Sequence, residues 1–233
     1  MKIFAHFFLL LVLFGCKSEP VEEAKNKILP LGASRVEGDA PEFYSYRYSL
    51  WSELIDNEWS IDFIGNEVDP FYYGDDDFDP DHEGHGGWTS GQILTSLPNW
   101  LNTIDTPDVV LISSPGGNDA LDGLSYSDAM DNIEDILEIL QTHNPEVTII
   151  IELMAPAHSS LMTGDLLSFY EQMEVDIVAM ANDYTTGSSQ VITVDMGDGF
   201  SDSFLADPIH YNQQGAEFIG HKYYTVLEQV LSR

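Results

Sequence analysis

Residues 147–151 read Val147-Thr148-Ile149-Ile150-Ile151, and this run decides the architecture. It is apolar on both faces of an extended chain, the pattern of a strand covered by helices on each side. Extended to residues 147–154, it is one of five candidate strands, with 27–31, 59–65, 108–113 and 190–195. Between them the apolar residues recur at helical spacing. Phe43, Leu50, Trp51, Leu54 and Ile55 share one helical face; Met130, Ile133, Leu137 and Leu140 share another, ended by His143-Asn144-Pro145. Leu166, Tyr170, Met173 and Ile177 mark a further helix, and Ala216, Ile219, Tyr223, Val226 and Val230 mark the last. Strands alternating with helices predict an α/β domain: a doubly wound, five-stranded parallel sheet in three layers. Ligands of such sheets bind beyond the carboxyl ends of the strands. Chemistry is therefore expected in loops 32–41, 66–90, 114–127, 155–163 and 196–212.

The chain has 233 residues, 8 Lys and Arg against 40 Asp and Glu, a formal net charge of -32 and one cysteine. A chain this long buries enough surface to need no disulfide or metal staple, and 43% apolar content excludes an acidic disordered tail. The charge excludes nucleic acid, whose phosphates require clustered Lys and Arg. It equally disfavours an anionic membrane as a partner of the folded surface.

Residues 1–15 read as an export signal. Lys2 supplies the positive start, and the apolar run from Phe7 to Phe14 is too short to span a bilayer. Leu13-Phe14-Gly15-Cys16 resembles a bacterial lipobox, which makes Cys16 a lipid attachment point and residues 16–26 a tether. The expected product is an exported lipoprotein, periplasmic or on the cell surface, touching membrane only through that anchor. The catalytic domain is expected over 27–233.

After the first strand comes Gly32-Ala33-Ser34-Arg35-Val36-Glu37-Gly38. A serine in a glycine-flanked turn there either caps a helix or presents its hydroxyl and N–H at the sheet edge. Asp207-Pro208-Ile209-His210 supplies an imidazole with a carboxylate three residues before it. Such a carboxylate can fix the tautomer and leave Nε2 free to take a serine proton. Two glycine-rich loops offer oxyanion donors or are ordinary turns. In Ser114-Pro115-Gly116-Gly117-Asn118-Asp119 the donor is the Asn118 amide. In His82-Glu83-Gly84-His85-Gly86-Gly87-Trp88-Thr89-Ser90 it is the Gly87 N–H, unobstructed by a Cβ, with Thr89 or Ser90 capping the next helix.

In this order the four segments resemble the blocks of the SGNH hydrolases, the GDSL esterase/lipase family. The matching residues are Gly32 and Ser34, then Gly87, then Gly116-x-Asn118-Asp119, then Asp207-x-x-His210. Ile28-Leu29-Pro30-Leu31-Gly32, Tyr46-Arg47 with Leu50-Trp51, and His82-Glu83-Gly84-His85-x-Gly87-Trp88-Thr89 resemble the acetylxylan-esterase branch of the carbohydrate esterases. The resemblance implies a flavodoxin-like fold and an ester hydrolase with a Ser34-His210-Asp207 triad. The implied oxyanion hole is Ser34, Gly87 and Asn118, the substrate an acylated carbohydrate, and no cofactor is needed. Three features depart from the family. Gly-Asp-Ser reads Gly32-Ala33-Ser34, Arg35 replaces a small or apolar residue, and Ser113-Ser114-Pro115 precedes the third block. Two other functions fit the same segments: a lipid- or thioester-directed esterase, and a non-catalytic polysaccharide-binding lipoprotein. The chain shows no long apolar loop for an acyl channel, and it lacks none of the triad residues.

Further residues admit two readings each. Arg35 recognises a carboxylate or sulfate on an acidic sugar, or pairs with Glu37 or Asp39. Trp88 stacks on a sugar, or packs in the core face of a helix. Asp75, Asp77 and Asp79, in the acidic run 75–81, could ligate Ca²⁺ or form a solvated loop without the glycine and glutamate of an EF-hand. His82 and His85 have zinc-like spacing without a third ligand. His158 is expected to be a satisfied loop residue, and His143 to face the negative pole of its helix.

Overall fold

The computed structural model describes residues 26–232, so Cys16 and the export segment lie outside the described residues. The chain alternates strands and helices throughout. In order these are β1 (Asn26–Gly32), α1 (Ser34–Glu37), α2 (Arg47–Asp56), β2 (Ile61–Phe63), β3 (Glu67–Val68) and β4 (Asp81–Gly84). There follow α3 (Ser90–Trp100), β5 (Val109–Ile112), α4 (Gly117–Leu121), α5 (Tyr126–His143), β6 (Thr148–Leu153), α6 (Gly164–Tyr184), β7 (Val191–Asp195) and α7 (Gln213–Val230). Among the described residues no helix is long and apolar enough to cross a membrane.

All five expected strands form, in a parallel sheet that runs from β1 through β5 and β6 to β7. The second is short, β2, and it shares its side of β1 with a strand from the following loop. β2 pairs with Asn26, Lys27 and Ile28 of β1, and β4 continues the same edge at Leu31 and Gly32. β3 adds an antiparallel strand outside β4. The sheet is thus the expected parallel core with two short strands that the sequence presents as loop. Residue 26, assigned to the tether, is in fact the buried first residue of β1, its amide donating to the Ser60 and Ser232 carbonyls.

Side chains along a strand alternate between faces, and both faces here are apolar. Val110, Ile112, Ile149 and Ile151 pack against α3, α5 and α6, whereas Val109, Leu111 and Ile150 pack against α2 and α7. The helix stripes meet these layers with two exceptions. Phe43 precedes α2 and belongs to the functional cleft, and Ile55 is 42% exposed. Asn212 accepts from the Gly215 N–H at the start of α7, and Thr89 with Gln92 forms a reciprocal capping box at the start of α3.

Candidate active site

At the end of β1 the chain must turn beneath β5. A Cβ at Gly32 would lie 2.8 Å from the Ser113 carbonyl oxygen, so only glycine allows this approach. Ser34 then opens the short helix α1. Buried Arg47 holds that helix from below, donating to the carbonyls of Val36 at 2.8 Å and Glu37 at 2.9 Å, and pairing with Asp69 at 2.8 Å.

The loop after β7 delivers His210 and Asp207 to Ser34. His210 Nε2 lies 2.9 Å from Ser34 Oγ, and His210 Nδ1 lies 2.7 Å from Asp207 Oδ2. Asp207 Oδ1 accepts the backbone N–H groups of Ile209 and His210, both at 2.7 Å. Partial burial alone would raise the Asp207 pKa. The bonds from the His210 ring and the two N–H groups outweigh it and hold the carboxyl below its ordinary value. The Phe43 ring stacks on His210 with centroids 4.0 Å apart. Sequence periodicity assigned Phe43 to a helix, so this contact was not foreseen.

Ser34, Gly87, Asn118 and His210 line one open cleft of ≈ 640 Å³. Asn118 stands in the first turn of α4, and its Nδ2 donates to the Trp88 carbonyl at 2.7 Å, which leaves a second N–H on the same nitrogen. Asp119, buried, accepts from Ser90 N at 2.8 Å and Ser90 Oγ at 2.7 Å, fastening α4 to the start of α3. The reason for glycine at 87 differs from the expected one. A Cβ there would touch nothing within 4 Å, but φ is +78°, a left-handed backbone that favours glycine.

Arg35 fits neither of its sequence readings. It is buried, and its guanidinium donates to the carbonyls of Ile209 (3.0 and 2.8 Å), Ala155 (2.7 Å) and Pro156 (3.3 Å) rather than to Glu37, Asp39 or the open cleft. Its charge also lies 4.6 Å from the centre of the Tyr211 ring. Below it Glu152, fully buried, accepts from Ser114 N at 2.7 Å and the Tyr223 hydroxyl at 2.8 Å. That bond holds Ser114 in a left-handed conformation, φ +48°, just before the Asn118 turn. Nothing in the apolar run of β6 signalled this role for Glu152.

Trp88 precedes α3 instead of lying on its core face. It stacks on His85 at 4.4 Å, and His85 stacks on Trp100 at 4.5 Å. The side chains that could have held zinc or calcium bond within the protein. His85 pairs with buried Glu83 at 2.7 Å, whereas His82 accepts from Gly84 N and is driven down to about pKa 2, chiefly by burial. Asp79 accepts from Phe63 N at 2.7 Å, and Asp75 accepts from Asp77 N. Among the described residues no three His, Cys, Asp or Glu side chains gather to hold a metal ion. His158 is partnered by Ser160 and Asp202, and His143 sits in the last turn of α5.

No family model matches the chain, and no curated protein sequence does. Solved structures do. A carbohydrate esterase family 3 protein from Talaromyces cellulolyticus is 26% identical with TM-score 0.77, covering 88% of this chain and 97% of its own. An acetyl esterase mutant with an acetate ion gives the same four figures, 26%, 0.77, 88% and 97%. A family 3 carbohydrate esterase from Clostridium thermocellum is 28% identical with TM-score 0.73, covering 88% of this chain and 96% of that one. Fold and likeness together define a carboxylic ester hydrolase of the SGNH type. Within that class the chain is similar to the family 3 carbohydrate esterases.

Proposed function

We propose that this esterase removes acetyl groups from a neutral carbohydrate, with Ser34 as nucleophile, His210 as general base and acid, and Asp207 as the group that orients His210. Ser34 Oγ attacks the ester carbonyl as its proton passes to His210 Nε2. The oxyanion is received by the N–H groups of Ser34 and Gly87 and by the second N–H of Asn118. His210 returns the proton to the departing sugar oxygen; it then deprotonates a water that attacks the acetyl-serine, and passes that proton to Ser34 Oγ as acetate leaves.

The observation that carries this reading is the unbroken chain of contacts from Asp207 through His210 to Ser34, at 2.7 and 2.9 Å. Two further features support the substrate. A small depression bordered by Ser34, Arg35, Asn118, Leu121, Tyr170 and Ile209 holds only ≈ 20 Å³, room for a methyl and not for a long acyl chain. The cleft is lined by Glu37, Asp39 and Glu67 with no Lys or Arg, which disfavours an anionic sugar. The test is acetate release from acetylated oligosaccharides. Wild type should release it and Ser34→Ala should not, with the fold intact by circular dichroism; equal release by both would end the assignment.

Export and lipid attachment at Cys16 belong to the same proposal. Metabolic labelling with a radioactive fatty acid should mark the wild type and not Cys16→Ser; equal labelling of the two would refute the anchor.

A further inference from the structure

A second concavity opens against the back of the catalytic cleft. Phe43 and Pro70 line the cleft, and the next residues, Tyr44 and Phe71, line the second pocket, of ≈ 410 Å³. Gln213, on its wall, lies three residues after His210, at most roughly 11 Å along the backbone. We propose that this pocket is a glycan subsite that holds a neutral pyranose of the chain whose acetylated unit occupies the cleft. The proposal rests on the carbohydrate-esterase reading above.

The lining has the two kinds of surface a sugar ring demands. Tyr44, Phe71, Tyr72 and Tyr73 supply flat aromatic faces for the apolar C–H side of a pyranose. Tyr72 is 64% exposed, which leaves its side chain accessible to a ligand. On α7, Gln213 Nε2 donates to Glu217 Oε1 at 3.0 Å, so an amide and a carboxylate stand side by side with further donors and acceptors for vicinal hydroxyls. No Lys or Arg lines the pocket, which argues against phosphate, sulfate or uronate. An acyl chain would leave Gln213 and Glu217 facing hydrocarbon.

The aromatic wall is also held in place. Phe71 N and the Tyr73 hydroxyl both donate to Asp69, at 2.9 and 3.0 Å, and Asp69 pairs with buried Arg47. Tyr73 stacks on Tyr48, centroids 4.4 Å apart and planes within 8°. Since Arg47 also holds the carbonyls of Val36 and Glu37, one side chain braces both the subsite wall and the helix that begins with Ser34. A subsite pre-arranged in this way loses less entropy on binding.

Tyr72→Ala and Gln213→Ala test it, since neither residue touches the reacting groups. On chemically acetylated xylohexaose, mannohexaose and cellohexaose, the variants should lose about tenfold in kcat/KM on the best substrate, through KM, with 4-nitrophenyl acetate hydrolysis unchanged. Equal turnover by wild type and variants on every oligosaccharide, or an equal loss on the small ester, would overturn the subsite and leave the esterase reading standing. Calorimetry of the unacetylated hexaoses with Ser34→Ala reads the pocket without turnover. At least one should bind, and adding Tyr72→Ala should weaken it about tenfold. No binding by any of the three, or an affinity indifferent to Tyr72, would overturn the subsite. An inactive wild type that still binds through Tyr72 would instead sink the esterase reading alone.

Discussion

Arg35 donates through both Nε and Nη2 to the carbonyl oxygen of Ile209, at 3.0 and 2.8 Å. The residue after Ser34 therefore holds the residue before His210. The same guanidinium fixes the carbonyls of Ala155 and Pro156, so loops from two strand ends are registered against Ser34. Arg35 acts as a positioning residue. Arg35→Met leaves buried carbonyls without donors and should cost about 3 kcal/mol of stability in urea unfolding. It should also lower kcat by about tenfold or more, with KM within about twofold. Arg35→Lys keeps the charge but not the planar fork and should recover only part of each loss. Added guanidinium should raise kcat of Arg35→Gly. A variant that loses stability but keeps full kcat would confine Arg35 to a structural role.

Asn118 bonds the Trp88 carbonyl with one amide hydrogen and lines the cleft, so its other amide hydrogen is left for a ligand there. Asn118→Ala should reduce kcat by roughly 10²–10³ and leave KM nearly unchanged, as expected for a donor used chiefly in the transition state. Asn118→Asp should fare no better, because a carboxylate repels an oxyanion. Steady-state kinetics on 4-nitrophenyl acetate decide it; a change confined to KM would remove Asn118 from the oxyanion hole.

Burial raises the Asp79 pKa to about 6 from 3.8, against the lowering effect of its bonds from Phe63 and Asp81 N–H. Since the folded value is the higher one, the folded state holds the extra proton between those limits, and this group's contribution to stability declines as pH rises from about 4 to about 6. Asp79→Asn keeps an acceptor for Phe63 N and removes the charge. Its stability relative to wild type should therefore improve steadily from pH 4 to pH 7, by denaturant midpoint. His82 has the opposite sign. Its folded pKa of about 2 lies below the unfolded 6.5, so its contribution is full above 6.5 and lost as pH falls. A pH-independent difference between Asp79→Asn and wild type would show that Asp79 is not held protonated by the fold.

The parallel core was legible because runs such as 147–151 are apolar on both faces, and only a doubly covered strand satisfies that pattern. The four site segments were legible because glycine, serine, asparagine and the Asp-x-x-His spacing are local. What escaped the sequence depends on partners distant in the chain. β4 carries His82 and Glu83, polar residues that read as loop until Asn66 and His85 are seen to satisfy Glu83. Arg35 looked like a ligand for anions because its true partners are backbone carbonyls more than a hundred residues away. Glu152 sat unnoticed in an apolar run, although a buried carboxylate there had to find donors.

On the proposed mechanism His210, 2.9 Å away, makes Ser34 the activated hydroxyl among the described residues. Treatment with a fluorophosphonate and peptide mass spectrometry reads that directly. A single adduct is expected on Ser34, absent in Ser34→Ala and greatly slowed in His210→Ala. An adduct on any other residue, or labelling indifferent to His210, would contradict it.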